Sequence, residues 1–452
     1  MNITIVGCGK VGSAIAIKLI EENHKITVID TNPEKISHIT EELDVLGRVG
    51  NGSSSEVLSE ASVENTDVFI AVTGSDELNL LCCLFAKHLG KCHAIARVRN
   101  HIYGKEIDFI RKQLGFSAII NPEFAAAREI SRILRLPAAV NVDTFADGRV
   151  YLVKFPLKDS HKFDSVPLKD IPNKFGCDVL VCAVERDDKV VIPNGDFELK
   201  AGDIVSVVAQ KEKVLEFIKK LDLPVKQVKN AMIVGGGTIG YYLAENLISH
   251  NIDVRIIEQN QERCEVLAEL LPEASIIHGD GTDRKLLIAE GLEATEGFVP
   301  LTNLDEENVL LTLFAKKYSN AKLVTKINRL DFDDVLETLE MGSIVYPKYL
   351  TCDFVLQYVR ALSNRQGNYI KNLYHILDNR VEALEFTVKE ESAITNIPLS
   401  ELKLKKNLLI GCISRDNVSI IPRGNNMIKV GDTVVVIAEG YGLSDICDIL
   451  ER

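Results

Sequence analysis

The sequence predicts an α/β fold in which two doubly wound, parallel-sheet domains are each followed by a small α+β domain. Three observations support this prediction. A glycine-rich motif between a strand and a helix occurs twice, short apolar runs alternate with helical stretches after it, and a β-rich segment ends each half of the chain. At 452 residues the chain is long enough for several domains of ordinary size.

The glycine motif and the acidic residue that follows it repeat at a fixed separation. Gly7 and Gly235 begin the two motifs and lie 228 positions apart (235 − 7). Asp30 and Glu258 end the next apolar run of each half at the same separation (258 − 30). The complete motifs are Gly7, Cys8, Gly9, Lys10, Val11 and Gly12 in the first half, and Gly235, Gly236, Gly237, Thr238, Ile239 and Gly240 in the second.

Further along the chain the separation grows by one residue and then stays constant. Asn51, in a Gly-Asn-Gly-Ser segment, corresponds to Asp280, in Gly-Asp-Gly-Thr (280 − 51 = 229). Such a repeat indicates duplication of whole domains, because solenoid and propeller repeats have periods of roughly 20 to 50 residues. The predicted domains are residues 1–120 with a crossover helix to about 136, residues 137–222, residues 229–345 with a crossover helix to about 363, and residues 368–452.

Strands and helices alternate within residues 1–120, as is typical of βαβ units. The predicted strands are 3–6, 26–29, 68–72 and 94–98, and the predicted helices are 13–22, 33–43 and 76–89. The strands are apolar along their whole length, so we expect helices to cover both faces of a parallel sheet. Each half therefore predicts a Rossmann-like domain.

A proline opens a helix at the end of each of these domains, at Pro122 and at Pro347. After Pro122 apolar residues recur at intervals of three and four, forming one stripe. The stripe could pack on its own domain or on another subunit, and the sequence leaves both open. The segment that follows is predicted to be a small α+β domain, with turns at 147–148, 187–188 and 194–195, a last helix from Lys211 and a linker at 223–227.

Composition and charge restrict the class of protein. With 46% hydrophobic and 26% charged residues, the chain is expected to be soluble, and no apolar run approaches the roughly 18 residues of a membrane-spanning helix. The sequence begins directly with a strand, so no secretory signal is expected and the predicted location is the cytoplasm. The ten cysteines lack CxxC spacing, which indicates reduced, buried thiols. A net charge of −13 argues against nucleic acid as a partner.

The glycine motif has a chemical reason to hold a nucleotide. Its first glycine permits a tight turn, the second lets the backbone approach a diphosphate, and the third lets the helix pack closely on the strand. Unpaired N–H groups at the start of that helix then face the diphosphate. Asp30 follows Gly12 by 18 residues (30 − 12), near the spacing at which a carboxylate binds adenosine ribose hydroxyls and repels a 2′-phosphate, which favours NAD, ADP or ATP over NADP. The alternative interpretation is a tight turn without a ligand.

Two further segments complete a resemblance to a known family. They are residues 71–77 (Ala-Val-Thr-Gly-Ser-Asp-Glu) and residues 96–100 (Ala-Arg-Val-Arg-Asn). Together with the glycine motifs, Asp30 and the β-rich segments, they resemble the RCK (also called KTN) regulatory family from end to end. The resemblance implies RCK N-terminal and C-terminal domains in the order N, C, N, C, as in the peripheral NAD-binding subunits of potassium uptake systems.

The resemblance also implies roles for individual residues. In the first half the glycine motif would cradle phosphates, Asp30 would hold the ribose, Thr73 and Gly74 would line the adenine side, and Arg97 would reach phosphate or ribose. Asn51 completes this set. Two alternatives need no ligand, since Thr73 could cap the following helix and Arg97 could form a surface ion pair.

The second half departs from this pattern. Pro300 is expected to interrupt its strand, and Lys326 stands where the first half has arginine. A lysine cannot make the bidentate contact of a guanidinium, so the second site is expected to be weaker or to prefer another nucleotide. Its implied binding residues beyond the glycine motif are Glu258, Asp280, Thr302, Asn303 and Lys326.

For partners, the resemblance implies a homo-oligomer, with four chains supplying eight RCK domains to a ring. The ring would dock on the inner face of the cell membrane beneath a separate potassium-translocating subunit. NAD (NADH), with ADP or ATP as alternative ligands, would gate that subunit, and no enzymatic activity is expected. A ligand can do so only by binding one ring conformation more tightly than another.

The same residues allow two other functions and one other kind of site. A regulator of a cation/proton antiporter would share the signature. A dehydrogenase would also use the glycine motif but needs an acid or base over the nicotinamide. The candidate histidines, His24, His38, His88, His93 and His250, lie at helix ends and in polar connections, where solvated or capping roles are expected. A metal site from Cys82, Cys83, His88, Cys92 and His93 is not expected, because adjacent residues point to opposite faces.

Overall fold

The structure is a computed structural model. It describes residues 1–100, 103, 106–135, 141–145, 150–157, 166–176, 179–187, 189–220, 228–328, 336, 339, 341–363, 370–376, 381–416, 418–439 and 442–451. The predicted turn at 147–148, part of that at 187–188, and the linker at 223–227 lie outside these residues.

The chain divides into two compact units, and each contains one part of each half. The first unit comprises Met1–Leu134 and Val228–Leu356, and the second comprises Arg135–Gln227 and Gln357–Arg452. The two Rossmann-like domains therefore share one unit, and the two β-rich domains share the other.

The first Rossmann-like domain is built on a parallel sheet with the strand order β3-β2-β1-β4-β5-β6. Its strands are β1 (Asn2–Val6), β2 (Lys25–Asp30), β3 (Leu46–Val49), β4 (Val68–Ala71), β5 (His93–Arg97) and β6 (Ala118–Ile120). Its helices are α1 (Lys10–Glu21), α2 (Pro33–Glu42), α3 (Ser55–Glu60), α4 (Asp76–Leu89), α5 (Ile107–Leu114) and α6 (Pro122–Arg135). The order reverses between β1 and β4, where such sheets bind ligands beyond the carboxyl ends of the strands.

The predicted fold class is confirmed, and the predicted elements agree with the structure to within three residues. The edge strands β3 and β6 and the helices α3 and α5 were not predicted. Leu46 is 67% exposed and Val49 is 54% exposed, so β3 has none of the buried apolar character that identified the other strands.

The first β-rich domain is an antiparallel sheet with the order β10-β9-β11-β8-β7. Its elements are β7 (Asn141–Phe145), β8 (Val150–Pro156), α7 (Ile171–Phe175), β9 (Leu180–Arg186), β10 (Lys189–Val191), β11 (Ile204–Gln210) and α8 (Lys211–Lys220). Arg186 donates to both carboxylate oxygens of Asp203, at 2.7 and 2.8 Å, and the same carboxylate accepts the backbone N–H of Lys200. This pair fixes the tight turn at Gly202, whose φ is +89°.

The second Rossmann-like domain repeats the first, with the parallel order β14-β13-β12-β15-β16-β17. Its strands are β12 (Asn230–Val234), β13 (Asp253–Glu258), β14 (Ser275–His278), β15 (Gly297–Pro300), β16 (Lys322–Lys326) and β17 (Ser343–Val345). Its helices are α9 (Thr238–Ile248), α10 (Gln261–Leu270), α11 (Arg284–Ala289), α12 (Asp305–Tyr318) and α13 (Pro347–Ser363).

The prediction that Pro300 interrupts its strand is wrong. Pro300 is the last residue of β15 and is in register with Val234 of β12. The following Leu301 still donates its N–H to the Val234 carbonyl, at 2.7 Å. A proline lacks only its own N–H, so the end of a strand tolerates it.

The second β-rich domain has the order β18-β19-β22-β20-β21, with β18 (Ile370–Ile376), β19 (Val381–Thr387), β20 (Leu408–Arg415), β21 (Val418–Ile420) and β22 (Thr433–Glu439). It packs against the first β-rich domain through one apolar cluster, which joins Leu152 and Val208 to Ala383 and Ile437. Each β-rich sheet thus covers an apolar face of the other.

Helix α6 packs on the second Rossmann-like domain. Its Ala127, Ile130 and Leu134 belong to one core cluster with Ile233 of β12 and Leu247 of α9. The apolar stripe was recognisable in the sequence, but its partner was not, because an amphipathic helix specifies only that a face is buried.

The cysteines are reduced in the described part of the chain, with eight thiols buried and Cys447 partly buried. Cys177, the remaining cysteine, lies outside the described residues. Among the described helices, none has the length and apolar character that crossing a membrane requires.

Candidate nucleotide site

The first glycine motif forms a tight turn between β1 and α1. Gly7 has φ +101°, and a Cβ there would lie 3.0 Å from the backbone nitrogen of Thr73. A Cβ on Gly12 would lie 1.9 Å from the carbonyl oxygen of Gly7, so the helix can approach the strand only without a side chain. Gly9 has an ordinary φ of −78°, and a Cβ there would meet no described atom within 4 Å. Open space therefore lies in front of the loop, where a diphosphate would approach.

Asp30, at the end of β2, holds this loop in place. One carboxylate oxygen accepts the backbone N–H of Cys8 at 2.7 Å, and the other accepts that of Asn32 at 2.9 Å. A carboxylate has about four acceptor positions, so Asp30 can still accept from ribose hydroxyls. Burial, reinforced by the Asp30 charge, raises the pKa of the Cys8 thiol to about 12, and the thiol stays protonated.

The start of α1 is open to an anion. No side chain caps this helix at Gly9, and its first turn has no acidic residue. By contrast, Asn32 caps α2 and Ser75 caps α4 with their side-chain oxygens. The N–H groups at the start of α1, together with the exposed Lys10, therefore present positive charge to the space in front of Gly9.

A buried asparagine connects the loops that follow β4 and β5. Thr73 donates its N–H and its hydroxyl to Oδ1 of Asn79, both at 2.7 Å. Asn79 Nδ2 donates to the carbonyl of Arg97 at 2.9 Å, and the residue is fully buried. The α4 cap is Ser75, whose hydroxyl accepts the N–H of Leu78 at 3.2 Å. Thr73 is therefore fixed at the cavity by Asn79 rather than used as the helix cap.

Arg97, at the end of β5, has a free donor. Its Nη2 donates to the Thr73 carbonyl at 3.2 Å, whereas its buried Nε has no hydrogen-bond partner among the described residues. Burial lowers the pKa of Arg97 and the neighbouring Arg99 lowers it further, while Glu123 opposes the shift. Arg97 lines the cavity, and a guanidinium has further N–H groups that can bind an oxyanion there.

These groups surround one cavity of about 590 Å³, within the range of roughly 300 to 1,000 Å³ that is usual for small-molecule sites. Cys8 and Gly12 are buried and are not among its lining residues. Nine predicted residues line it: Gly7, Gly9, Lys10, Val11, Asp30, Asn51, Thr73, Gly74 and Arg97. The structure thus brings together most of the site predicted for the first half.

Several lining residues were missed by sequence reasoning. Lys35 and Glu123 come from the first half, and Asn328, Pro347 and Lys348 come from the second half. The second-half residues enter because the two halves share a unit, which the repeat pattern does not specify. A signal for Asn79 was available, because Asn308 recurs at the same separation (308 − 79 = 229) in the corresponding helix of the second half.

The second glycine motif has the same backbone arrangement. Gly235 has φ +108°, and a Cβ on Gly240 would lie 2.3 Å from the Gly235 carbonyl oxygen. Glu258 accepts the N–H groups of Gly236 at 2.7 Å and Asn260 at 2.8 Å. A Cβ on Gly237, as on Gly9, would meet no described atom within 4 Å, and Thr238 and Ile239 begin α9 without a side-chain cap.

The side chains around this second loop differ. Arg263 of α10 donates its Nε to the Gly236 carbonyl at 2.7 Å. Lys35, the corresponding residue of the first half (263 − 228), is exposed and lines the cavity instead. The second loop is thus bonded to a cation of its own chain.

The remaining predicted residues of the second half form mainly internal contacts. Lys326 is only 5% exposed and donates to the Leu301 carbonyl at 3.3 Å. Burial lowers its pKa, although Asp305 and Glu123 oppose the shift. Thr302 donates its N–H to Asn308 at 2.9 Å, as Thr73 does to Asn79. Asn303 is exposed.

Asn51 and Asp280 close equivalent turns. Asp280 accepts the N–H and the hydroxyl of Thr282, both at 2.8 Å, and these bonds lower its pKa. Asn51 accepts the same two groups of Ser53, at 3.0 and 2.9 Å. Of the two residues, Asn51 lines the cavity of the first half.

The described residues include no group of three or more His, Cys, Asp and Glu side chains placed to hold a metal ion. Cys82, Cys83 and Cys92 are buried in one core cluster, whereas His93 is exposed. Burial raises the pKa of Cys82 to about 12 and that of Cys83 well above its ordinary value. Both thiols stay protonated, which is unfavourable for metal binding.

Comparison with known domain families covers most of the chain. Residues 3–122 and 231–347 match the TrkA-N domain, and residues 152–222 and 383–451 match the TrkA-C domain. The order N, C, N, C is the one that the sequence repeat predicts.

Full-length relatives agree. A "Trk system potassium uptake protein TrkA homolog 1" of Methanosarcina mazei is 34% identical, with 99% of each chain covered. A "Trk system potassium uptake protein TrkA" of Azorhizobium caulinodans is 30% identical, with 97% of this chain and 96% of the relative covered.

Among solved structures, the RCK domain of GsuK is similar to this chain with a TM-score of 0.64 at 17% identity. That match covers 98% of this chain and 93% of the GsuK chain. A GsuK channel bound to NAD has a TM-score of 0.62 at the same identity, with 98% of this chain and 77% of the other covered. At this identity the likeness concerns the fold. From the matching domains and the full-length relatives, we conclude that the chain belongs to the TrkA family, with its TrkA-N and TrkA-C domains each present twice.

Proposed function

We propose that this chain is the nucleotide-binding regulatory subunit of a potassium transport system. In this proposal the cavity of the first Rossmann-like domain binds NAD(H) or ADP/ATP, and its occupancy gates a separate membrane channel or transporter. The observation on which the proposal depends is the cavity itself. Open space in front of Gly9, an uncapped helix start, Asp30 and Arg97 lie together at this cavity.

The relatives support the potassium part of this proposal, because both curated proteins described above are named as potassium uptake proteins. The ligand part is supported by two structures of GsuK, one bound to NAD and the other bound to ADP. The family is one of regulatory subunits of potassium transport, not of catalytic enzymes.

The proposal also includes a membrane partner, an oligomeric state and boundaries for the four domains. The membrane partner would be a potassium-translocating subunit of the TrkH or TrkG kind, with the chain peripheral on the inner face of the cell membrane. The assembly would be a homo-oligomer, a tetramer in the proposed ring. The domains would have the limits given from the sequence, 1–120, 137–222, 229–345 and 368–452, with the crossover helices between them.

The second glycine loop is proposed to bind a nucleotide more weakly than the first. Its Gly236 carbonyl is bonded to Arg263, and Lys326 is buried against the Leu301 carbonyl. Both side chains are thus engaged with backbone carbonyls of the protein itself.

The first test is isothermal titration of the purified chain with NAD, NADH, ADP and ATP. We expect binding by the wild type, a loss of affinity of about tenfold in Asp30→Ala, and a smaller loss in Glu258→Ala. If no nucleotide produces heat, or if both variants bind as the wild type does, the nucleotide proposal is wrong.

The second test is potassium uptake by a strain that has the transporter, with and without this chain. We expect uptake to depend on the chain and to lose its nucleotide response in Asp30→Ala. Uptake that is indifferent to deletion of the chain would exclude the regulatory role, even if nucleotides bind.

A further inference from the structure

The cavity of the first Rossmann-like domain has one wall from the second. Asn328, which follows β16, and Pro347 and Lys348, which begin α13, line it together with the first glycine motif. A ligand that fills the cavity therefore contacts both halves of the duplicated chain.

The charges are distributed unevenly along this cavity. At the adenosine end, Asp30 has both carboxylate oxygens engaged with backbone N–H groups, and Lys35 lies nearby on α2. Arg97 ends β5 and Glu123 follows β6, both on the other side of β1 from Asp30, and Lys10 and Lys348 lie in the first turns of α1 and α13. These four lining residues contribute three positive charges and one negative charge. The far part of the cavity thus has an excess of positive charge.

Glu123 does not neutralise Lys348 in particular. Its charge opposes the effect of burial on the pKa of Arg97 and of Lys326. Burial raises the pKa of Glu123 itself, and the charges of Arg97 and Arg99 oppose that shift. Within the described residues Lys348 forms no ion pair, and its ammonium lies 4.8 Å from the centre of the Tyr349 ring. The first turn of α13 has no acidic residue, so the positive end of this 17-residue helix adds to the charge.

We propose that this far part of the cavity is a subsite for the terminal phosphates of a nucleoside di- or triphosphate, with Lys348 as the residue that distinguishes these ligands from a dinucleotide. The inference rests on the proposed nucleotide function of the cavity and adds to it the basis of ligand choice. The terminal phosphates of ATP bring negative charge to this place. The corresponding nicotinamide riboside part of NADH has none, so it gains nothing from Lys348.

The subsite depends on Lys348, which comes from the second half of the chain and has no basic counterpart in the first half. The equivalent residue at the start of α6 is Glu123 (Asn-Pro-Glu against Tyr-Pro-Lys), with the opposite charge. Both residues line the same cavity. Replacing one or the other should therefore change affinity for polyphosphates in opposite directions.

The test is isothermal titration of the full-length chain with ATP, ADP and NADH. In Lys348→Gln we expect the Kd for ATP to rise about tenfold, the value for one charge-assisted contact. The Kd for ADP should rise less, and that for NADH should stay within about twofold of the wild type. Lys348→Arg should keep the wild-type preference, and Glu123→Gln should strengthen ATP binding relative to NADH.

The matched control is Lys35→Gln, which removes a cation at the adenosine end and should weaken all three ligands alike. An equal loss for ATP and NADH in Lys348→Gln, or no loss for ATP, overturns the subsite while the proposed function stands. If the wild type binds none of the three ligands, the proposed function fails and the subsite with it.

Discussion

The two glycine loops have the same backbone and different surroundings. Gly7 and Gly235 both take a left-handed conformation, and Asp30 and Glu258 accept equivalent backbone N–H groups at 2.7 Å. In front of the first loop lies a cavity, whereas Arg263 is bonded to the second. The comparison teaches that forming the turn and leaving it free for a ligand are separate requirements, met by different residues.

The turn itself depends on residues next to it in sequence or on the neighbouring strand. Its availability depends on side chains from other elements, such as Lys35 on α2 in one half and Arg263 on α10 in the other. A chain can therefore repeat the turn and surround each copy with different side chains.

The largest expected difference between the loops comes from adding a side chain at the middle glycine. Gly9 and Gly237 both have negative φ and open space for a Cβ. The Gly9→Val and Gly237→Val variants should therefore both fold. In Gly9→Val the valine methyl groups would occupy the place of the diphosphate, and affinity for ATP and NADH should fall at least about 100-fold. In Gly237→Val we expect the principal binding event to be unchanged.

Isothermal titration measures this difference, and thermal unfolding of both variants serves as the control for folding. Equal losses of affinity in the two variants would show that the two loops contribute equally to nucleotide binding, contrary to the difference proposed between them.

A smaller difference is expected for the cations that follow the fifth strand of each sheet. Arg97 lines the cavity, whereas Lys326 is buried with its ammonium on a backbone carbonyl. Arg97→Lys should lower nucleotide affinity about fivefold to tenfold, because an ammonium cannot replace the planar fork. Lys326→Met should leave affinity nearly unchanged, because the buried ammonium does not face the cavity.

Titration of both variants with ADP and ATP gives the result directly. A loss in Lys326→Met as large as that in Arg97→Lys would mean that Lys326 also contacts the ligand.

The smallest expected effect concerns the first residue of the fifth strand. It is the exposed His93 in β5 and Lys322 in β16, which donates to the Ile133 carbonyl at the end of α6. Burial lowers the pKa of Lys322 from 10.5 to about 7. Between these values the unfolded chain binds a proton that the folded chain does not, so the free energy of unfolding should rise with pH across this window.

Part of the Lys322 side chain stays exposed, so we expect a rise of only about 1 to 2 kcal/mol between pH 7 and pH 10. Urea unfolding at several pH values measures it. Lys322→Met should flatten the dependence in that window, whereas His93→Gln should leave it as in the wild type. A Lys322→Met variant with the full wild-type slope would assign the effect to another group.

Much of the site could be predicted because its chemistry is local. The glycine motif and Asp30 are recognisable from their spacing to the strands that precede them, and Gly7, Gly9 and Asp30 line one cavity. Asn51 could be found through its repeat in Asp280. By contrast, Lys348 and Asn328 have no local motif that relates them to the first glycine loop, and Glu123 was recognised only as part of a helix start.

The sequence by itself determined the number of domains, their order, the fold class and the conformation of both glycine turns. These follow from hydrophobic periodicity and from backbone requirements that act over a few residues. Only the tertiary structure decided that α6 packs on the second sheet, that Lys348 reaches the first cavity and that Arg263 reaches the second loop. Such contacts join residues far apart in the chain, and an apolar stripe or a charge specifies the kind of partner it needs without specifying which one.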